Sequence, residues 1–456
     1  MRERIKRVSQ TIATRSPEKL LVGSFALVIG IGTILLALPV SQHGSVGFLD
    51  ALFTATSAVC VTGLTVVDTN TAYTTFGQVM IIILIQAGGV GVMAFAAIAL
   101  YLLGRRLSLS VRAALNSAMF QKEIASEFAS IFWRILRFVL IIETIGAILL
   151  FFGMLTQEGA ARAAYSALFH SISAFCNAGF SLYSDSLVGL RDNPLVIVTI
   201  TLLIVLGGIG HPVAVDFWRI IGTPKSDAAA GPKRLTLNSS IALSTSVGLI
   251  LGGFVLLLAF GLTPHEHSWS TRLFAAFFQS VTARTAGFNT VNVGSLPLAS
   301  LMALVFLMFI GGSPGSCAGG IKTTTFALWV ARLLSLLRGE KWARIFGRHI
   351  PGEISRRASM MIGLAVLWNL FGLLFLLATE RETPGVGMHD VLFEQISAFG
   401  TVGLSTGLTP KLTGAGKLWI ITTMFVGRLG PLTMASWAFS RKTPGVRYPE
   451  GRIMIG

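Results

Sequence analysis

The sequence predicts an all-α integral membrane fold of four outer helix–pore helix–inner helix repeats. That makes eight transmembrane helices plus four re-entrant pore loops around one central pore. Three observations carry the expectation. Of 456 residues, 53% are hydrophobic and only 12% are charged, against roughly 25% charged in soluble domains, so part of the solvent must be lipid. Eight apolar runs reach the roughly 20 residues that a helix needs to cross a bilayer. One glycine motif recurs four times, each time between two such runs.

The eight spans fall near 20–38, 75–103, 138–155, 194–218, 239–262, 297–331, 358–379 and 418–440. Shorter apolar stretches near 50–60, 164–176, 272–283 and 390–400 sit inside successive pairs and read as re-entrant segments. The organisation is therefore a tail (1–19), repeat 1 (20–103), repeat 2 with its preceding loop (104–220), repeat 3 (221–333), repeat 4 with its preceding loop (334–440) and a tail (441–456). The basic N-terminus (Arg2, Arg4, Lys6, Arg7) precedes no small-residue cleavage site, so no cleavable signal is expected.

Charge sets the expected orientation. The net charge is +16, which on a soluble protein would point to nucleic acid. Here 27 of the 36 Lys and Arg residues fall in the two tails and the 104–137, 219–237 and 332–357 segments. The opposite side has seven: Arg162, Arg191, Arg272, Arg284, Arg381, Lys411 and Lys417. Positive loops favour the cytoplasm, so both termini are expected inside, the short segments entering from outside, and no nucleic-acid partner. The cysteines Cys60, Cys176 and Cys317 form no CxxC pair, so neither a disulfide framework nor redox catalysis is expected. The histidines are scattered, and no nucleophile–base or metal-ligand constellation marks an enzyme or a resident cofactor.

The motif reads SAVCVTGLT (57–65), SAFCNAGFS (173–181), VTARTAGFN (281–289) and SAFGTVGLS (397–405). Its glycines, Gly63, Gly179, Gly287 and Gly403, are spaced 116, 108 and 116 residues apart, and a Phe (Phe53, Phe169, Phe277, Phe393) stands ten residues before each. A second landmark follows each loop: GGVG (88–91), GGIG (207–210), GGSPG (311–315) and GRLG (427–430). One such Gly would read as helix packing, whereas four copies in register mark internal repeats.

Irregular backbone at membrane depth is tolerated only where protein buries it or water reaches it. Gly accepts φ > 0, which lets successive carbonyls face one way, and rings of carbonyls can replace an ion's hydration shell. A short helix entering from outside aims its C-terminal end, worth about half a negative charge, at the membrane centre. Four such ends favour a cation. Asp50 and Asp390 open the first and fourth short helices and read as caps. A two-repeat secondary transporter with a midplane site fits four equally oriented repeats less well.

These loops, together with QAGGVGVMAF, LLIVLGGIG, MFIGGSPGSCAGGIKTTTF, SAFGTVGLSTGLTP and MFVGRLGPLT, resemble the KtrB/TrkH/HKT superfamily of potassium transporters over nearly the whole chain. The ending RYPEGRIMIG and the eight-span length resemble the KtrB branch more than TrkH. The resemblance implies potassium as substrate, sodium as an activator, a bacterial cytoplasmic membrane location, a homodimer and a cytoplasmic nucleotide-binding regulatory ring (KtrA-like). It places the potassium filter at Val61, Thr62, Gly63, Asn177, Ala178, Gly179, Thr285, Ala286, Gly287, Thr401, Val402 and Gly403. One Gly per loop implies looser discrimination against sodium than a TVGYG filter gives. His211, where an apolar aromatic is common, departs from the pattern and reads as a packed histidine.

The third inner helix is interrupted between 311 and 320 by Gly311, Gly312, Ser313, Pro314, Gly315, Ser316, Gly319 and Gly320, a composition that cannot hold a straight helix. The resemblance makes this segment an intramembrane gating loop. Arg428, replacing a landmark Gly, is costly in a membrane and is expected to bond carbonyls of that loop. Lys322 is expected to snorkel to the cytoplasmic interface, and Glu143 to sit in a structural ion pair. The basic 104–137 and 332–357 segments are candidate docking surfaces for the regulatory ring.

Overall fold

The computed structural model describes residues 17–104, 118–222, 234–262, 269–430 and 433, and these are predominantly helical. Each quarter of the chain repeats one order: a leading helix, a short helix, a loop and a trailing helix. In the first the helices are Pro17–Ala37, Phe48–Val59 and Thr75–Gly104, and in the second Ala118–Met154, Ala160–Phe175 and Pro194–Ile209. The third has Leu237–Phe260, Trp269–Thr282 and Leu298–Phe309, and the fourth Gly352–Thr379, Met388–Gly400 and Gly414–Leu429.

Helix starts follow local chemistry. Asn193 accepts from Val196 N–H with Pro194 at the first helical position, and the Thr236 and Thr413 side chains accept from Ser239 and Gly416 N–H. Such caps satisfy backbone donors that a helix leaves unpaired. The leading helices expose large apolar side chains, among them Leu27, Ile34, Ile141, Ile145, Val255, Leu367 and Leu374. A polar solvent would not tolerate an apolar surface of that extent, whereas lipid does.

Every trailing helix packs on the short helix of the next quarter, and Gly414–Leu429 packs back on Phe48–Val59. The four quarters thus close a ring. Lys417 Nζ to Asp50 Oδ1 at 2.7 Å joins the last quarter to the first, giving Asp50 a partner besides its place in the first helical turn. Asp390 caps as expected, accepting from Gly387 N–H at 2.9 Å.

Several expected boundaries change. Among the described residues, Thr75–Met93, Phe132–Met154, Leu237–Phe260 and Gly352–Thr379 are long and apolar enough to cross a membrane as single helices. The expected span 194–218 is broken at Gly210, where Pro194–Ile209 and His211–Ile220 meet at 95°, because Gly210 adopts φ +89°. The expected span 297–331 is two helices, Leu298–Phe309 and Thr323–Leu337, around a buried non-helical segment. The expected loop 104–137 is helical from Ala118 onward, since its apolar periodicity continues through interspersed charges. The last trailing helix stops at Gly430, φ +88°, and the tails 1–16 and 441–456 lie outside the described residues. Within 332–357, a small antiparallel hairpin pairs Arg344 with His349 and Ile345 with Arg348.

Candidate functional site: a ring of four glycine loops

The loops after the four short helices share one backbone conformation. Val61, Asn177, Thr285 and Thr401 take φ of 56°, 59°, 80° and 49°, and the glycines two residues on take 88°, 68°, 80° and 96°. Left-handed backbone costs an L-residue roughly 1–2 kcal/mol, so finding it at equivalent positions in four loops marks an imposed geometry. The loops also touch in sequence. A Cβ built on Gly63 would stand 3.0 Å from the Gly179 Cα, one on Gly179 3.0 Å from that of Gly287, one on Gly287 3.1 Å from that of Gly403, and one on Gly403 3.1 Å from that of Gly63. The carbonyl oxygens of Ala178, Ala286, Val402 and Thr62 lie at those junctions. Twelve sequence-selected filter positions therefore fall on one closed ring.

A hydroxyl near the end of each short helix holds its loop. Ser57 and Ser397 accept from Gly63 N–H (3.0 Å) and Gly403 N–H (3.2 Å). Ser173 and Thr282 donate to the carbonyls of Phe180 (2.8 Å) and Phe288 (2.7 Å). Sequence reasoning passed over these four residues, although Ser recurs six residues before three of the glycines. The third loop is one residue tighter, with Thr282 five residues before Gly287. The same offset corrects the expected Phe277, which is 39% exposed, while Phe278, Phe53, Phe169 and Phe393 fill the equivalent core position. The second landmark also has a packing reason: a Cβ on Gly88, Gly207 or Gly427 would collide with the carbonyl of Val59, Phe175 or Phe399.

On the face formed by residues after the glycines lies a cavity of about 640 Å³, lined by all four glycines and by Thr65, Asp68, Ser181, Asp185, Asn289 and Ser405 among others. Two buried side chains brace its wall. Glu394 accepts from Ser405 and from Thr409 Oγ1 (2.7 Å), and His170 bonds the Ser166 carbonyl (2.7 Å) and Ser181 Oγ (3.0 Å).

On the opposite face, residues 310–321 are buried except at Pro314. This segment is stitched to the ends of the trailing helices. Ser313 N–H donates to Gly208 O (3.0 Å), Cys317 N–H to Gly207 O (3.3 Å) and Gly320 N–H to Gly427 O (3.2 Å). His211 N–H reaches back to Gly315 O at 3.1 Å. The segment also abuts the ring, since a Cβ on Gly319 would meet the Thr401 side chain and one on Gly311 would stand 3.3 Å from Thr285 Cγ2. Asn177 donates to the Ala174 and Ile204 carbonyls (3.0 and 3.1 Å) and accepts from Thr285 Oγ1 (3.3 Å).

Three cations meet this segment. Arg428 donates to Cys317 O and to Gly88 O at 2.9 Å, joining the fourth and first trailing helices through the segment. Arg284, placed with the outside charges by sequence reasoning, is buried instead and donates to Gly311 O (2.9 Å) and Ser246 O (3.1 Å). Its place three residues before Gly287 was the missed signal. Lys322 does not snorkel; it turns back to bond Ala318 O. In all three cases one acceptor is a carbonyl of the break in the third trailing helix: Cys317, Gly311 or Ala318. The expected ion pair at Glu143 is replaced by an amide partner, Gln86 Nε2, at 2.9 Å.

A closed ring of four backbone loops, set among lipid-facing helices, defines a membrane ion-transport protein. The profile of the TrkH family, described as cation transport protein, matches residues 3–444, and the chain belongs to that family, whose members transport cations and are not enzymes. It is 38% identical over 449 residues to the potassium/sodium uptake protein NtpJ of Enterococcus hirae, with 97% of each chain covered. It is 38% identical over 448 residues to the Ktr system potassium uptake protein B of Bacillus subtilis, again with 97% of each covered. For the Vibrio alginolyticus protein of the same description the figures are 37% over 447 residues, 96% and 94%. The fold matches the crystal structure of the potassium transporter TrkH from Vibrio parahaemolyticus with a TM-score of 0.71 at 20% identity, over 93% of this chain and 85% of that one.

Proposed function

We propose that this protein takes up potassium across a bacterial cytoplasmic membrane through a single gated pore. Eight spans and four re-entrant loops surround that pore, with both termini in the cytoplasm. The observation that carries the reading is the closed contact ring Gly63–Gly179–Gly287–Gly403 with its matching left-handed residues. Carbonyls of the filter residues in all four loops would replace the water around a dehydrated cation. The C-terminal ends of the four short helices add negative potential where the ion sits.

Residues 311–320 with Arg428 act as the gate. The segment lies against the base of the filter, so ions pass only when it moves, and its bonds to Gly207, Gly208 and Gly427 are the ones that opening must break. Arg428 holds it shut and also repels cations beneath the filter. Relatives described as proteins of a Ktr system support a regulatory partner. The reading takes that partner to be a cytoplasmic nucleotide-binding ring docked on the basic 104–137 and 332–357 segments, and adds sodium stimulation and a homodimer. Expression in a cell that lacks its own potassium uptake tests the function. Growth at limiting potassium supports it, and no rescue by membrane-inserted protein contradicts it.

A further inference from the structure

Beneath the ring, three sulfurs from three different elements converge. Cys176 ends the second short helix, Cys317 lies in the buried 310–321 segment, and Met93 belongs to the first trailing helix. All three are buried, and both thiols are free. Cys317 Sγ lies 3.4 Å from Met93 Sδ. Both thiols pack against Gly89: a Cβ there would stand 2.8 Å from Cys176 Sγ and 3.5 Å from Cys317 Sγ. The Cys176 thiol also reaches Gln86 Oε1 at 3.4 Å and Glu143 Oε1 at 3.8 Å.

We propose that Cys176, Cys317 and Met93 form a binding site for a soft monovalent cation of the copper(I) or silver(I) class, and that its occupation locks the 310–321 segment against the ring. Thiolate and thioether ligands select such ions over hard ones, so the site would ignore the potassium passing beside it. Binding is an exchange without change of oxidation state. The metal ion takes the place of one proton on each thiol, both protons leave to water, and Met93 contributes a sulfur lone pair. The Arg428 guanidinium on the Cys317 carbonyl offsets the negative charge left on the two thiolates. Because Cys317 rides on the segment while Cys176 and Met93 sit on packed helices, a metal bridge ties the one to the others.

The locking effect rests on the gate reading above; the binding does not. The test uses full-length protein in liposomes with silver(I) as the probe. Direct titration should show one tight silver ion per chain. Cys317→Ser and Cys176→Ser should each weaken it at least tenfold, while Cys60→Ser leaves it unchanged. Equal binding in all four proteins, or loss only in Cys60→Ser, overturns the site. Potassium flux in the same liposomes, each variant referred to its own silver-free rate, should fall at least tenfold in the wild type at one equivalent and return on adding a thiol chelator. Binding at the three sulfurs with undiminished flux overturns the locking claim and leaves the site standing; the gate reading fails separately, if deleting 313–318 leaves flux equal or lower.

Discussion

The two faces of the glycine ring are built by different rules. The ring itself is nearly fourfold: four left-handed residues, four glycines and four short-helix hydroxyls at matching positions. Beneath it, among the described residues, the trailing helices share a glycine packed on a short-helix carbonyl (Gly88, Gly207, Gly427) and otherwise diverge. The first trailing helix runs unbroken from Thr75 to Gly104, the second bends at Gly210, the third opens into a buried loop and the fourth carries Arg428. Coordinating a spherical ion demands symmetry of the groups that touch it, whereas obstruction needs only one element. Duplication explains the upper face, and divergence of single copies explains the lower.

Substitution at the ring should break the comparison most severely. Gly179→Ala, or its equivalent at Gly403, puts a side chain where the next loop's backbone stands and adds about 1–2 kcal/mol of left-handed strain. Potassium flux should fall by roughly two orders of magnitude, the effect of a few kcal/mol, while the protein still inserts. Near-normal flux would refute the ring as the conducting element.

Next in size is Arg428→Gln. It removes two charge-assisted bonds, each worth about 1.5–3 kcal/mol, and the charge below the filter. Flux or its sodium share should rise roughly tenfold. Unchanged uptake kinetics would remove Arg428 from the gate. Arg284→Gln offers a sharper version: it frees the Gly311 carbonyl but not Cys317, so it should raise flux less than Arg428→Gln.

Smaller still are the hydroxyls. Ser57→Ala and Ser397→Ala each delete one buried bond, worth about 0.5–1.5 kcal/mol, and should shift the potassium-to-sodium flux ratio a few-fold without abolishing transport. Thr282→Ala should do the same despite its shifted position, since it holds Phe288 as Ser173 holds Phe180. Wild-type selectivity in all three would separate the hydroxyls from loop geometry.

The ring was legible in the sequence because its determinant is local. Positive φ alone admits Val, Asn and Thr two residues earlier, but each ring glycine also has the next loop's backbone where a Cβ would stand, so every copy has Gly there. The break at 311–320 was legible from its Gly, Pro and Ser content alone. Arg284 was not, because counting charges between spans cannot tell a loop residue from one buried at the end of a short helix. Glu143 and Lys322 show the same limit: their partners, Gln86 and the Ala318 carbonyl, depend on which elements meet. The Phe277/Phe278 offset escaped because Phe277 alone keeps the ten-residue spacing, and only the tighter third loop brings Phe278, nine residues before Gly287, to the equivalent core position.

The central claim, a symmetric filter above a single asymmetric barrier, is tested most directly by deleting 313–318 and measuring potassium and sodium flux in liposomes. The account predicts that flux rises at least about tenfold, as removing a barrier of some 1.4 kcal/mol would give, while potassium remains preferred to the same degree because the ring is untouched. Equal or lower flux in well-folded protein, or a lost preference for potassium, would contradict it.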